Sequence, residues 1–409
     1  MNRTFSHKLS VFLDQFPILL VHGARQVGKT TFLKHRLNDW THLDLEDTAT
    51  AERLRADPAL YLEDHPERVW FDEAHRVPEL FAALRVAVDR DRRPGRYILS
   101  GSASGAMLSK VSESLAGRAA VLDLQTMSAA ELDERPAPDF LQQVLDAKNI
   151  TQLADRLKEK PRREQVDARW FAGGFPEPAL MKTPLAWRRW YDAYLRLVSE
   201  RDLGALHESL RPTGIRRLLR LLATRQGAPL NMSALGRDFG ASSQAISKFI
   251  DILEGSGLWW RQESWQRNIG KRIVKSPRGW ISDSGLLHAL LDLRKRDDLD
   301  VHPLAGMSFE GWVIQQLRVQ AGQMDGAPRF YYWRTQAGAE VDLVIEHGRR
   351  LIPVEIKRGR RVAPYDLRGM TAFLEAFEDK APFGLVIHRT ESPGRLREKI
   401  LSVALECVV

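Results

Sequence analysis

Apolar positions along the chain follow three different rhythms. In the first third, short apolar runs at Pro17 to Val21, Thr41 to Leu45, Arg68 to Phe71, Arg96 to Leu99 and Ala119 to Leu124 alternate with stretches of helical spacing. Strands alternating with helices predict a parallel sheet in an α/β layer. From Ile215 the period is that of amphipathic helices: Ile215, Leu218, Leu219 and Leu222 mark one, Met232 to Leu235 opens a second, Gly240 turns the chain, and Ser242 to Leu253 makes a third. In that third helix Ile246, Phe249, Ile250 and Leu253 face inward, while Ser243, Gln244, Ser247 and Lys248 lie outside. This is helix-turn-helix order, and Trp259–Arg261 with Arg272–Lys275 would complete a winged helix as its hairpin. The last third predicts a helix with Phe309, Val313 and Leu317 on one face, then a strand at Phe330–Trp333. Glu340 to Ile345 then alternates, turns at His347-Gly348 and returns as Leu351 to Lys357, a hairpin with apolar and charged residues on opposite faces.

Punctuation divides these blocks. Pro136, Pro138 and the charged stretch Lys158 to Glu164 mark a connector, followed by a turn at Phe171–Pro178 and a helix from Trp187 to Arg201. Four segments are expected: an α/β core over 1–135, a helical lid or connector over 136–212, a winged helix over 213–280 and an α/β domain over 281–409. A chain of 409 residues fits such a division, because single cores rarely grow beyond ~250 residues. Its apolar content of 44% is ordinary. With no apolar run of ~18 residues and no apolar signal core at the N-terminus, a soluble, cytoplasmic protein with no membrane partner is expected. The lone Cys407 excludes an intramolecular disulfide and a cysteine-based zinc site.

Charge sharpens the picture. Between Ile215 and Arg278 there are 12 Lys or Arg against four Asp or Glu, so this segment's +8 equals the net charge of the whole chain. A basic segment with a polar-faced third helix is the footprint of a phosphate-backbone binder, with Lys248, Arg261, Lys271 and Arg272 as candidate DNA contacts. Winged helices also serve as protein–protein modules, and that alternative stands beside it.

The candidate chemistry begins at Gly23-Ala24-Arg25-Gln26-Val27-Gly28-Lys29-Thr30-Thr31, which fits G-x-x-x-x-G-K-[ST] between a strand and a helix. Its glycines let backbone N–H groups face a phosphate, and the helix adds its positive end. Lys29 would meet the β- and γ-phosphates of ATP and Thr30 a Mg²⁺ ion. The strand ending in Asp72-Glu73 fits a Walker B pair, with Asp72 holding the metal's water shell and Glu73 activating the attacking water.

Strand order with the added glutamate resembles the AAA+ ATPases. That resemblance makes Ser102, with Ser100 second, the candidate polar sensor, and Arg118 a candidate arginine finger, which implies a ring-shaped homo-oligomer such as a hexamer. The stretches Gly23–Thr31, Phe71–Leu80 and Leu99–Ser102 are similar to a prokaryotic AAA-type family whose ATPase domain is fused to a C-terminal region of unknown function similar to the PD-(D/E)xK restriction-endonuclease-like superfamily. The resemblance implies that Glu310, Asp342 and Glu355 bind a metal, Mg²⁺ or Mn²⁺, beside Lys357. Alternating charge on a strand is also what a solvent face looks like. The expected function is an ATP-driven AAA+ motor or switch that remodels or translocates on DNA, branched DNA included, with cleavage left open. The alternative is a nucleotide-gated scaffold that binds a protein or DNA without cutting.

Overall fold

The computed structural model describes residues 3–101, 113–157, 165–203, 211–266, 276–391 and 394–409. Ser102, Lys271 and Arg272 lie outside them.

Five short strands, β1 (Ile18–His22), β2 (Thr41–Asp44), β3 (Val69–Asp72), β4 (Tyr97–Ser100) and β5 (Ala119–Asp123), form one sheet in the order β2-β3-β4-β1-β5. Every pairing is parallel, from Ile18↔Tyr97 and Ile18↔Ala119 to Thr41↔Val69 and Val69↔Tyr97. β1, β3 and β4 are buried along their whole length, because helices cover both faces. Since β4 lies between β1 and β3, the C-terminal ends of these three strands stand side by side. They deliver the glycine-rich loop, Ser100 and Asp72 to one edge of the sheet.

A second sheet has eight strands: β6 (Trp259–Ser264), β7 (Arg278–Ile281), β8 (Arg329–Arg334), β9 (Glu340–His347), β10 (Arg350–Ile356), β11 (Gly384–His388), β12 (Gly394–Arg397) and β13 (Ile400–Ala404), ordered β12-β13-β11-β10-β9-β8-β6-β7. The predicted hairpin of β9 and β10 forms, pairing Ile352 with Ile345. The helices Pro212–Ala223, Met232–Phe239 and Ser243–Gly255 also form, the last two capped by Asn231 and Ser242. A hairpin of β6 with β7 follows them, pairing Trp260 with Trp280 through Arg278–Ile281; the expected strand Arg272–Lys275 lies outside the described residues. The hairpin does not stand apart as a wing. β6 runs parallel to β8 through Glu263↔Tyr331, so the sheet crosses the boundary expected at residue 281. Buried tryptophans on both hairpin strands make the join favourable, since each indole removes a large apolar area from water.

The expected lid is likewise divided. Phe140–Asp146 and Ile150–Leu157 bury Phe140, Leu141, Val144 and Leu153 in the core of the second sheet, with Leu343, Ile345 and Ile352. Arg350 clamps them by donating to the carbonyls of Leu145 and Ala147 at 2.5 and 2.6 Å. The helix Pro184–Leu197 instead puts Trp187, Tyr191 and Tyr194 into the core shared by the first sheet and the three helices.

The helix Ala305–Gln323 joins everything. One apolar face was expected; most of its circumference is buried, including Glu310, Gln315, Gln316 and Gln320. Buried amides need partners, and each glutamine has one in another segment. Gln315 donates to Thr126 Oγ1 (2.8 Å), Gln316 accepts from the Ala129 N–H (2.8 Å), and Gln320 accepts from the Leu141 N–H (3.0 Å) while donating to the Val408 carbonyl (2.7 Å). No helix among the described residues is long and apolar enough to cross a membrane.

Candidate nucleotide and carboxylate sites

The glycine-rich loop is shaped by close approach. Gly23 has φ +154°, and a Cβ there would lie 2.2 Å from the Leu124 carbonyl oxygen. Gly28, at φ +93°, caps the helix Lys29–Arg36 in a left-handed conformation that a side chain would strain. Gln26 also adopts a positive φ, 62°, at the tip. Lys29 is buried, and its Nζ donates to the carbonyls of Gly23 (2.9 Å) and Ala24 (3.0 Å). The loop is held from outside as well: Tyr194 Oη donates to the Arg25 carbonyl at 3.3 Å, and Arg3 donates to Val27 and Gln125 carbonyls. Thr31 is exposed.

Asp72 is the hub. Its Oδ2 accepts from Thr30 Oγ1 at 2.9 Å and its Oδ1 from Ser100 Oγ at 2.6 Å. Ser100 Oγ in turn accepts from Trp70 Nε1 at 2.6 Å, which fixes the direction of its proton toward the carboxylate. His42 stacks on Trp70, with centroids 3.9 Å apart, and holds Nε2 3.7 Å from Asp72 Oδ2. Thus Ser100 bridges the Trp70 indole and the Asp72 carboxylate. His42 and Trp70 were not singled out from sequence, because their pairing, His42↔Trp70, exists only once β2 and β3 are neighbours. Glu73 takes φ +53°, a strained conformation that lifts its carboxylate off the strand line toward His75, with Oε2 3.2 Å from Nδ1. A Mg²⁺ ion fits here, because it needs only one or two protein ligands beside phosphate and water. Thr30 and Asp72 already share a hydrogen bond and would supply them.

Arg118 lies elsewhere. It precedes β5, opposite Pro17, and so sits at the N-terminal end of strands whose C-terminal ends carry the loop. Its guanidinium grips Asp89 by two bonds of 2.7 and 2.8 Å, and this holds the Asp89 carboxyl below its ordinary range. It cannot reach the loop of its own chain.

The C-terminal candidates converge. Glu310, Asp342 and Glu355 are all buried. Ile356 N–H donates to Asp342 Oδ2 at 2.9 Å, Lys357 Nζ to Glu355 Oε1 at 2.6 Å, and Arg278 Nη1 stands 3.5 Å from Glu310 Oε1. Burial first and Asp342 second push the Glu355 carboxyl up to about 8, and the same two causes raise Glu310 well above its ordinary value. Burial depresses Lys357, but Asp342 and Glu355 outweigh it and raise the ammonium overall. Two carboxylate oxygens, Glu310 Oε1 and Glu355 Oε2, are buried without a hydrogen bond. Such oxygens suit a divalent cation, which would also relieve the mutual repulsion. As placed, no three acidic, histidine or thiol groups among the described residues form an ion-holding group; Arg278 and Lys357 supply the balancing charge instead. Arg278 and Gln262, both on the β6–β7 hairpin, escaped the sequence reading. Gln262 Nε2 donates to the Asp342 backbone carbonyl at 3.0 Å, so the hairpin braces the Asp342 main chain and the Glu310 carboxylate.

Of the candidate DNA contacts, Lys248 is exposed on the third helix with Ser243 and Gln244. Arg261 differs from expectation. Its guanidinium is engaged by Asp251 and Glu254, one helical turn apart on that helix, so its charge is already balanced.

Three family models match the chain: an AAA domain over 15–133, a domain of unknown function (DUF8612) over 163–297 and a domain of unknown function (DUF4143) over 305–407. Uncharacterized proteins Rv2008c of Mycobacterium tuberculosis and Mb2031c of Mycobacterium bovis are each 33% identical over 358 residues, covering 87% of this chain and 74% of theirs. The chain belongs to their family. This chain therefore carries an AAA-type ATPase domain followed by two domains of unknown function. Among solved structures, the chain is similar to the Walker-type ATPase PABY2304 of Pyrococcus abyssi, at 16% identity and TM-score 0.41, over 70% of this chain and 94% of that one. It is also similar to a single-residue variant of RuvB from Thermotoga maritima, at 18% identity and TM-score 0.29, over 63% and 88%.

Proposed function

We propose that this protein hydrolyses ATP with Mg²⁺ at the first sheet and uses the cycle to remodel or move on DNA held by its C-terminal half. The observation that carries the ATPase reading is the junction of Thr30, Asp72 and Ser100, which brings the phosphate loop, the metal-binding carboxylate and a sensor-like hydroxyl into one hydrogen-bonded group. Lys29 would leave the Gly23 and Ala24 carbonyls for the phosphates, and Glu73 would take the proton of the attacking water. Arg118, exchanging Asp89 for phosphate, would act on a neighbouring subunit.

For the DNA role, the winged-helix reading of the three helices and the metal reading of Glu310, Asp342 and Glu355 belong together, since the β6–β7 hairpin serves both. A bound Mg²⁺ or Mn²⁺ would supply Lewis acidity toward a phosphodiester, with Lys357 placed to stabilise developing charge. A second reading, a nucleotide-gated scaffold that binds without cutting, is favoured by the ion pairs Lys357–Glu355 and Arg278–Glu310, which satisfy much of the site without metal.

ATPase assays with linear, single-stranded and branched DNA test the reading. Lys29→Ala should abolish turnover, whereas Glu73→Gln should retain ATP binding and lose hydrolysis; wild-type turnover by Glu73→Gln would sink the assignment. Divalent-dependent nicking that is lost in Asp342→Ala with Lys357→Ala separates the cutting protein from the scaffold.

A further inference from the structure

Directly beyond the Glu355-x-Lys357 strand the chain reads Lys357-Arg358-Gly359-Arg360-Arg361, and a short turn later come Tyr365 and Arg368. Each of these residues is within four positions of Lys357 or Asp366, the two groups that border the carboxylate site. Lys357 lies beside Glu355 (2.6 Å) and 4.0 Å from Asp366, which brings the turn Pro364–Leu367 against the site. Gly369 packs so tightly on β9 that a Cβ would fall 1.7 Å from the Glu340 carbonyl oxygen, which clamps the start of the helix Arg368–Ala376 two residues from Asp342. Arg361 is four residues from Lys357, so it is at most about 14 Å away along the backbone.

Most arginines discussed above have acidic partners within the chain: Arg118 has Asp89, Arg261 has Asp251 and Glu254, and Arg358 has Asp300 at 3.1 Å. This stretch differs. Arg360, Arg361 and Arg368 are exposed, and no hydrogen bond or ion pair engages their guanidinium groups among the described residues. Tyr365 stands among them with 68% of its surface exposed. An isolated exposed tyrosine is ordinary, and a charged loop is ordinarily just solvated. What is not ordinary is three unneutralised guanidiniums and an open aromatic face within four residues of Lys357 or Asp366, which border buried carboxylates that are themselves suited to a cation.

We propose that this stretch is the docking surface for single-stranded DNA, with Arg360, Arg361 and Arg368 on backbone phosphates and Tyr365 stacking on an unpaired base. The inference rests on the metal reading of the carboxylates only for its purpose, which is to present a phosphodiester to them. A duplex hides its base faces, so an exposed stacking ring at a phosphate track selects unpaired strand. The anchoring is electrostatic and must therefore weaken with salt.

The test is binding of a labelled oligo-dT and of a duplex of equal length to the full chain, in chelator, across a salt series. For the strand, Arg360→Ala, Arg361→Ala and Arg368→Ala together should reduce the slope of log affinity against log salt by about 2, at ~0.7 per phosphate contact. Tyr365→Ala should weaken strand binding about tenfold and leave the duplex unchanged, while Tyr365→Phe, which keeps the ring, should restore it. An unchanged slope in the triple variant overturns the proposal. So does a Tyr365→Phe variant as weak as Tyr365→Ala, or an equal loss for duplex and strand, which would mark a duplex surface. Tighter binding of the matching RNA would overturn the assignment to DNA. Mn²⁺ binding to the same proteins reports on the carboxylates separately: variants that bind Mn²⁺ but not the strand support docking, and a wild type that binds the strand but no Mn²⁺ removes the metal reading while docking stands.

Discussion

Ser100 shows how much one hydroxyl can organise. It accepts a hydrogen bond from an indole and donates one to Asp72, so Ser100→Ala would leave the buried Trp70 N–H without a partner and Asp72 Oδ1 with only the Glu73 N–H at 3.2 Å. Leaving buried groups unpaired costs ~1–3 kcal/mol; turnover should fall more than ATP affinity, as measured by steady-state kinetics beside equilibrium nucleotide binding. His288 gives a pH prediction. Its Nδ1–H donates to the Phe171 carbonyl (2.9 Å), and Nε2 accepts from Ser308 Oγ (2.6 Å). Burial lowers its pKa to about 4 from 6.5. The unfolded chain therefore binds the proton more readily, and the stability contributed by neutral His288 is complete above pH 6.5 and lost as pH falls toward 4. Thermal melts should show that loss, and His288→Gln should flatten its share of the slope. An unchanged slope in the variant would refute the assignment. Positions set by local backbone need were legible in sequence, as Gly23 and Gly28 are by their φ values, and so was the meeting of Thr30 with Asp72. Ser100 was named behind Ser102 as a sensor candidate, but its bonds to Trp70 and Asp72, like the places of His42 and Arg278, depend on which strands become neighbours, and sequence spacing does not carry strand order.

The helix Ala305–Gln323 was read as having a single buried face because its leucine-like positions repeat on one side, whereas Gln315, Gln316 and Gln320 look like ordinary surface residues. They are buried because three different segments supply their hydrogen-bond partners. This creates a short physical route between the two candidate sites. Gly23 lies against Leu124, Thr126 follows two residues later and bonds Gln315, and Glu310 is five residues back along the same helix, about 7.5 Å at 1.5 Å per residue. Gln315→Leu should lower unfolding free energy by ~1–3 kcal/mol, because the Thr126 groups lose a buried donor. Chemical denaturation measures this, and a variant as stable as wild type would show that water replaces the amide without loss.

At the scale of the whole molecule, the alternation of strands and helices announced the first sheet, whereas the second sheet and its core cross the boundaries expected near residues 212 and 281. Amphipathic patterns state that a face will be buried but not against what. Phe140–Leu157 therefore joined a sheet that lies more than a hundred residues downstream in the chain. A fragment of residues 281–409 lacks β6, β7 and these helices; it should show no cooperative melt, and a sharp transition in circular dichroism would contradict the shared core. The same arrangement dictates a schedule for the growing chain. When the ribosome has made residue 157, the partners of Phe140, Leu141, Val144 and Leu153 do not yet exist, and the last of them arrive only with the final strand. At ~5–20 residues per second the wait is on the order of ten to fifty seconds. Throughout that interval the apolar faces of these two helices lack the sheet they pack on, and such exposed surface favours association between chains that end early.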